Sequence, residues 1–254
     1  MMQNSLYIGH LGPIPIYIHW SAIFLVAMSW YWVGGPGASS FDAVFFLIFL
    51  FVLIASILLH EMGHGLAARA VARNEGERAV TITLQAFGGV CMSRGDHAPW
   101  KRLFVVLAGP AVSLALWLGC GTLIILCSDA GWGSWWTACI SPGTVISVFG
   151  PDWPLWTLQA VAICTTMNLG LLIFNMIPIY PFDGGQALYN GLKLMIKDWD
   201  LVRKMTMTLS VALALGYFAY RLQQGADPGS LMYLALIYGI MLYSAYVSLF
   251  IYRQ

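Results

Sequence analysis

The run "ILLHEMGHGLAARAVAR", Ile57 to Arg73, closes a stretch that is otherwise apolar from Ala43 onward. Two histidines and a glutamate fall within five residues, at the end of a segment whose remainder suits lipid. In a helix His60 and His64 lie one turn apart on one face, so both imidazoles can ligate one metal ion. Glu61 is turned from them by about 100°, which leaves it free to take a proton from water rather than to ligate. The plainer alternative is a solvent-facing helix that carries the same residues by chance. It is weak here, because ionisable groups at membrane depth are costly and this chain has only 5 histidines.

Composition supports a membrane setting. Of 254 residues, 59% are hydrophobic and 9% charged, with a mean hydropathy of +0.76. Soluble domains carry about 25% charged residues, so the pattern predicts a polytopic membrane protein. Candidate spans are 14–33, 43–59 continuing to about 68, 103–126, 155–177, 205–220 and 231–252. Each approaches the roughly 20 residues needed to cross about 30 Å of hydrocarbon. The expected fold is therefore all-α, with about six transmembrane helices in a single domain over 1–254. Its core would run from about 43 to 190, with peripheral helices at 14–33, 205–220 and 231–252. A net charge of +1 gives no reason to expect nucleic acid. The 5 cysteines form no CxxC pair and read as buried thiols. No cleavable signal peptide is expected at the N-terminus.

The basic residues suggest an orientation. With the N-terminus inside, 11 of the 12 Lys and Arg residues fall in cytoplasmic segments, and Arg221 alone falls outside. The loop 128–154 has no basic residue but holds Trp132, Trp135, Trp136 and Trp153, as an interfacial aromatic belt would.

A zinc site with three protein ligands leaves a fourth position for water, so a third ligand is needed. Most other carboxylates fall on the far side or in cytoplasmic loops. Asp183, in "NMIPIYPFDGGQAL", follows the fourth span at the same end as the histidines. Pro178 and Pro181 break the helix there, and irregular backbone at that depth is tolerated only where it lines a cavity. The alternative for Asp183 is an N-cap of the helix that follows.

With these segments in view, the chain resembles the site-2 proteases, intramembrane zinc metalloproteases. The resemblance rests on His60-Glu-Met-Gly-His64 and on Asn175-Met-Ile-Pro-Ile-Tyr-Pro-Phe-Asp183-Gly, with "FGGVCM" (Phe87–Met92) and "AGP" (Ala108–Pro110) in support. It covers about Ala43 to Leu188. It implies one Zn2+ per chain held by His60, His64 and Asp183, with Glu61 as general base. It also implies that Asn175 orients substrate or steadies the oxyanion. The family often has Asn a few residues after the Gly-Pro of the third span, where this chain has Ser113. Neither the PDZ domain nor the CBS pair carried by many relatives fits between the spans, so a minimal form is expected. The resemblance further implies a substrate: the transmembrane segment of another membrane protein, cut within the bilayer of a bacterial-type inner membrane near its cytoplasmic side. Membrane-tethered regulators are the implied class.

Three other readings fit less well. A different membrane metalloprotease, with a downstream glutamate as third ligand, is disfavoured because no glutamate follows Glu77. An ion or small-molecule transporter would leave the HExxH spacing unexplained and lacks paired broken helices. An inactive relative acting as an adaptor fits poorly with intact His60, Glu61, His64 and Asp183.

Finally, "AVTITLQAFGGVCMS" (Ala79–Ser93) alternates at Val80, Ile82 and Leu84 before Gly88-Gly89. This predicts a membrane-associated β-hairpin after the second span. Its exposed edge, expected along Val80–Leu84, would let an unwound substrate add as a strand, with Phe87, Gly88 and Gly89 at the substrate.

Overall fold

The computed structural model describes residues 4–34, 42–86, 88–93, 95, 98–149 and 154–251. The chain opens with an antiparallel pair, β1 (Ser5–Leu11) and β2 (Ile14–His19). A 3-10 turn over Trp20–Ala22 leads into α1 (Ile23–Gly34), and α2 (Ala43–Val71) follows. The expected span 14–33 is thus two elements. Ile14, Ile16 and Ile18 alternate with Pro15, Tyr17 and His19, a period of two that total hydrophobicity conceals. The 12 residues of α1 rise about 18 Å, short of a bilayer core of about 30 Å.

After α2 come β3 (Val80–Gln85) and β4 (Gly88–Ser93), the hairpin expected from sequence. They belong to a four-stranded sheet of order β1-β2-β3-β4, with β2 and β3 parallel and Ile16 opposite Ile82. Strand β3 is paired with β4 along its length and with β2 over Ile82–Leu84, so the expected edge along Val80–Leu84 is largely covered. The free edge beside the hairpin is β4. The N-terminal partner of β3, strand β2, could not be foreseen while 14–33 read as helix.

The rest is helical: α3 (Pro99–Leu126), α4 (Trp135–Ile140), α5 (Pro142–Phe149), α6 (Leu155–Asn175), α7 (Asp183–Met195), α8 (Trp199–Gln223) and α9 (Pro228–Tyr246). Among the described residues, 5 helices are long and apolar enough to cross a membrane: α2, α3, α6, α8 and α9 with its extension to Ile251. The polytopic, helix-dominated architecture expected from sequence is present. Acidic residues left over from the sequence argument serve as caps. The Asp42 carboxylate accepts from the N–H groups of Val44 and Phe45, and the Asp198 carboxylate from those of Asp200 and Leu201.

Two compact units result, residues 1–95 with 108–172, and residues 96–107 with 173–254. In the first, Ile14, Val80 and Ile82 form the buried heart of the sheet, and Ile124, Ile125, Ala138 and Val145 form a second cluster. The Trp135 indole donates to the Thr122 hydroxyl at 3.0 Å, satisfying both groups. Gly63 and Gly65 of α2 admit close neighbours: a Cβ at Gly63 would lie 2.6 Å from the Ala108 carbonyl oxygen, and one at Gly65 3.3 Å from Val80. In the second unit, Tyr189, Val202 and Leu249 pack together, and the Lys193 ammonium sits 4.1 Å over the Trp199 ring.

Candidate active site

Helix α2 carries His60, Glu61 and His64. His60 and His64 are 3% and 8% exposed, and Glu61 is also buried. The two Nε2 atoms approach to 3.2 Å, with the rings edge to face. Two nitrogens on one tetrahedral zinc at about 2.05 Å stand about 3.3 Å apart, so this pair already has the spacing a shared ion requires. The space between them is kept open by Gly109 of α3. A Cβ there would collide with the His64 ring and come within 2.8 Å of His60 Nε2. Donor chemistry and room both fit zinc.

The other ring nitrogen of His60 is engaged as well. Nδ1 lies 2.9 Å from Oγ of Ser113, a fully buried residue one turn beyond Gly109 on α3. Further up α2, Ser56 occupies the same face one turn before His60, and its hydroxyl accepts from the Asn168 amide of α6 at 3.0 Å.

Strand β4 approaches the base. A Cβ at Gly89 would collide with the Glu61 side chain and stand 3.0 Å from Oε1, so only glycine lets the strand come this close. Its neighbour Gly88 has φ +125°, a conformation that L side chains rarely adopt. Burial, and then the Glu61 carboxylate, push the Cys91 thiol up to about 12. Phe87 lies outside the described residues.

Asn175 and Asp183 flank the proline-broken segment between α6 and α7. Asn175 is half-buried at the end of α6, and Asp183 is buried in the first turn of α7, whose cap position is Phe182. The capping alternative for Asp183 therefore does not hold. Between them Phe182 donates its N–H to the Ile179 carbonyl in a tight turn, and the Tyr180–Pro181 bond is cis. Side chains at Gly184 or Gly185 would run into the backbone of Met176–Tyr180, so this pair lets α7 begin against the turn. One ligand atom each from His60, His64 and Asp183 lies within 4.8 Å of the others, and all three residues are buried. They form a possible metal site.

Comparisons with known proteins decide the family. The profile described as Peptidase family M50 matches residues 48–217. This chain belongs to the M50 peptidase family. Its relatives include sll0528 of Synechocystis sp., provisionally named a zinc metalloprotease, 30% identical over 226 residues, covering 85% of this chain and 50% of that protein. Rip3 of Mycobacterium tuberculosis, provisionally named likewise, is 30% identical over 206 residues, covering 74% of this chain and 43% of its own length. The chain thus spans about half the length of these relatives. Among solved structures, a site-2 protease from Methanocaldococcus jannaschii has the same fold, with a TM-score of 0.54 at 21% identity, covering 95% of this chain and 93% of the other.

Sequence reasoning missed Gly109 as the residue that leaves room at the imidazoles, although "AGP" was noticed. It also left Ser113 without a role. One signal was available: Gly109 and Ser113 are four apart on a helix, the same period that pairs His60 with His64.

Proposed function

We propose that this chain is a zinc-dependent intramembrane endopeptidase that hydrolyses peptide bonds in or near the transmembrane segments of other membrane proteins. The observation that carries the reading is the closeness of His60, His64 and Asp183 in an M50 chain with five membrane-length helices. His60, His64 and Asp183 would hold the ion. When bound, zinc acts as a Lewis acid that lowers the pKa of water to about 7 and polarises the scissile carbonyl.

The chain's own residues do the rest. Glu61 is adjacent in sequence to a ligand yet offset on the helix, so it takes the proton from the attacking water and returns it to the leaving amine. Asn175 donates from its amide to the substrate carbonyl, orienting it and steadying the developing negative charge. Strand β4 offers its outer edge to a locally unwound substrate, with Gly89 lying beside Glu61 and Gly88 and Phe87 next to it in sequence. Pairing there replaces helix hydrogen bonds that cost several kcal/mol each when left unmade in hydrocarbon. Residues 1–254 act as one protease domain with its core over about 43–190.

The distribution of Lys and Arg supports a cytoplasmic location for the residues after α2 and α6, with the active site toward that side of a bacterial-type inner membrane. Membrane-tethered regulators are the substrates we propose, which would give the chain a role in signalling. The test compares membrane proteomes of cells carrying wild type and Glu61→Gln. Membrane proteins that accumulate uncut only in the variant support the reading. Identical proteomes, with both proteins stably expressed, would sink it.

A further inference from the structure

Several hydroxyls inside the helices turn back on their own backbone. Ser29 donates to Leu25 O, Thr122 to Leu118 O, Thr165 to Val161 O and Ser210 to Thr206 O, each four residues back. Ser113 differs. Among the described residues, the hydrogen-bond partner of its Oγ is Nδ1 of His60, 53 residues away and on another helix. The bond is 2.9 Å long, and Ser113 is 0% exposed.

The proton on His60 can be placed by elimination. Nε2 of His60 faces Nε2 of His64 at 3.2 Å, so a ligand role for both rings needs both Nε2 atoms free of hydrogen. A neutral His60 then carries its proton on Nδ1, which lies 2.9 Å from Ser113 Oγ. We infer that Ser113 is a positioning residue for the metal: it accepts the His60 Nδ1–H and thereby fixes the tautomer and ring rotation that aim Nε2 at the ion. Partners of this kind fix ligand orientation and raise ligand basicity, and their loss typically weakens metal affinity about 10–100-fold. The geometry is economical. Gly109 and Ser113 stand one turn apart on α3, so one face of that helix both makes room at the imidazoles and holds one of them in place.

The inference rests on the metal reading above, and its test separates the two. Zinc affinity of the full chain in detergent micelles is measured by competition with a chromogenic chelator for wild type, His60→Ala, Ser113→Ala and Ser113→Thr. Thermal unfolding of the zinc-free forms is followed alongside. The expected result is a 10–100-fold weaker affinity for Ser113→Ala. Ser113→Thr, which keeps the hydroxyl, should stay within a few-fold of wild type, and the zinc-free unfolding temperatures should be similar. Wild-type affinity in Ser113→Ala overturns the inference while leaving the metal site intact. Equal losses in Ser113→Ala and Ser113→Thr overturn it too, because packing rather than the hydroxyl would then be responsible. No zinc binding by wild type, or no loss in His60→Ala, removes the metal reading itself.

Discussion

Helices α2 and α9 are both long enough to cross a bilayer, yet they differ in what they bury. Eleven residues of α2 are buried, His60, Glu61 and His64 among them, whereas Ala245 is the buried residue of α9. On α9 Leu236 and Ile240 are exposed, as lipid-facing side chains are in a bare chain. Polar groups on α2 have partners, Asn168 for Ser56 and Ser113 for His60, and Gly89 packs closely against the Glu61 side chain. The difference teaches that apolar length marks both helices equally, while function goes with the helix that other elements enclose.

The comparison can be broken most severely at α2. Glu61→Gln should lower proteolysis by at least about 10³-fold while retaining zinc, because a base is lost and a ligand is not. Cleavage of a purified substrate in proteoliposomes, with metal analysis of the same sample, checks this. Next in size is Gly109→Ala. The added methyl would occupy the space between the imidazoles, so zinc affinity should fall by about tenfold or more. Chelator competition reads the effect, and wild-type affinity would show that the gap at Gly109 is not where the ion sits.

Smaller again, proline at one or more of Val90, Cys91 and Met92 should remove an outward N–H of β4 and cut cleavage while zinc content stays unchanged. If all three variants fold, bind zinc and cleave normally, the strand-addition idea should be abandoned. Asn168→Ala should destabilise the chain by about 1 kcal/mol through loss of the bond to Ser56, measured by unfolding in detergent. At the other end of the comparison, Leu236→Ala on α9 should change zinc affinity and proteolysis by less than about twofold, since an exposed side chain away from special features contributes little. A large loss from Leu236→Ala would erase the distinction between the two helices.

Much of this contrast was legible in sequence because HExxH has a helical period that can be read directly. His60, Glu61 and His64 follow from spacing alone, and Asp183 from the proline-broken segment at the matching end of a later span. The N-terminal strands were not legible, since Ile14–Ile18 is both apolar and alternating, and a hydropathy window averages the alternation away. That error also concealed which strand is the edge: without β2, nothing covers β3. Ser113 was visible as a residue but not as a partner. A lone serine in a helix has no periodic signature, and its bond spans 53 residues.

The most direct test of the central claim measures metal and cleavage together in one preparation. Wild type, Glu61→Gln and Asp183→Ala are purified in parallel, analysed for zinc, and assayed on a substrate identified from the proteome comparison. The account predicts about one Zn2+ per chain with cleavage in wild type, zinc without cleavage in Glu61→Gln, and little of either in Asp183→Ala. Full cleavage by Glu61→Gln, or unchanged zinc in Asp183→Ala, would contradict it.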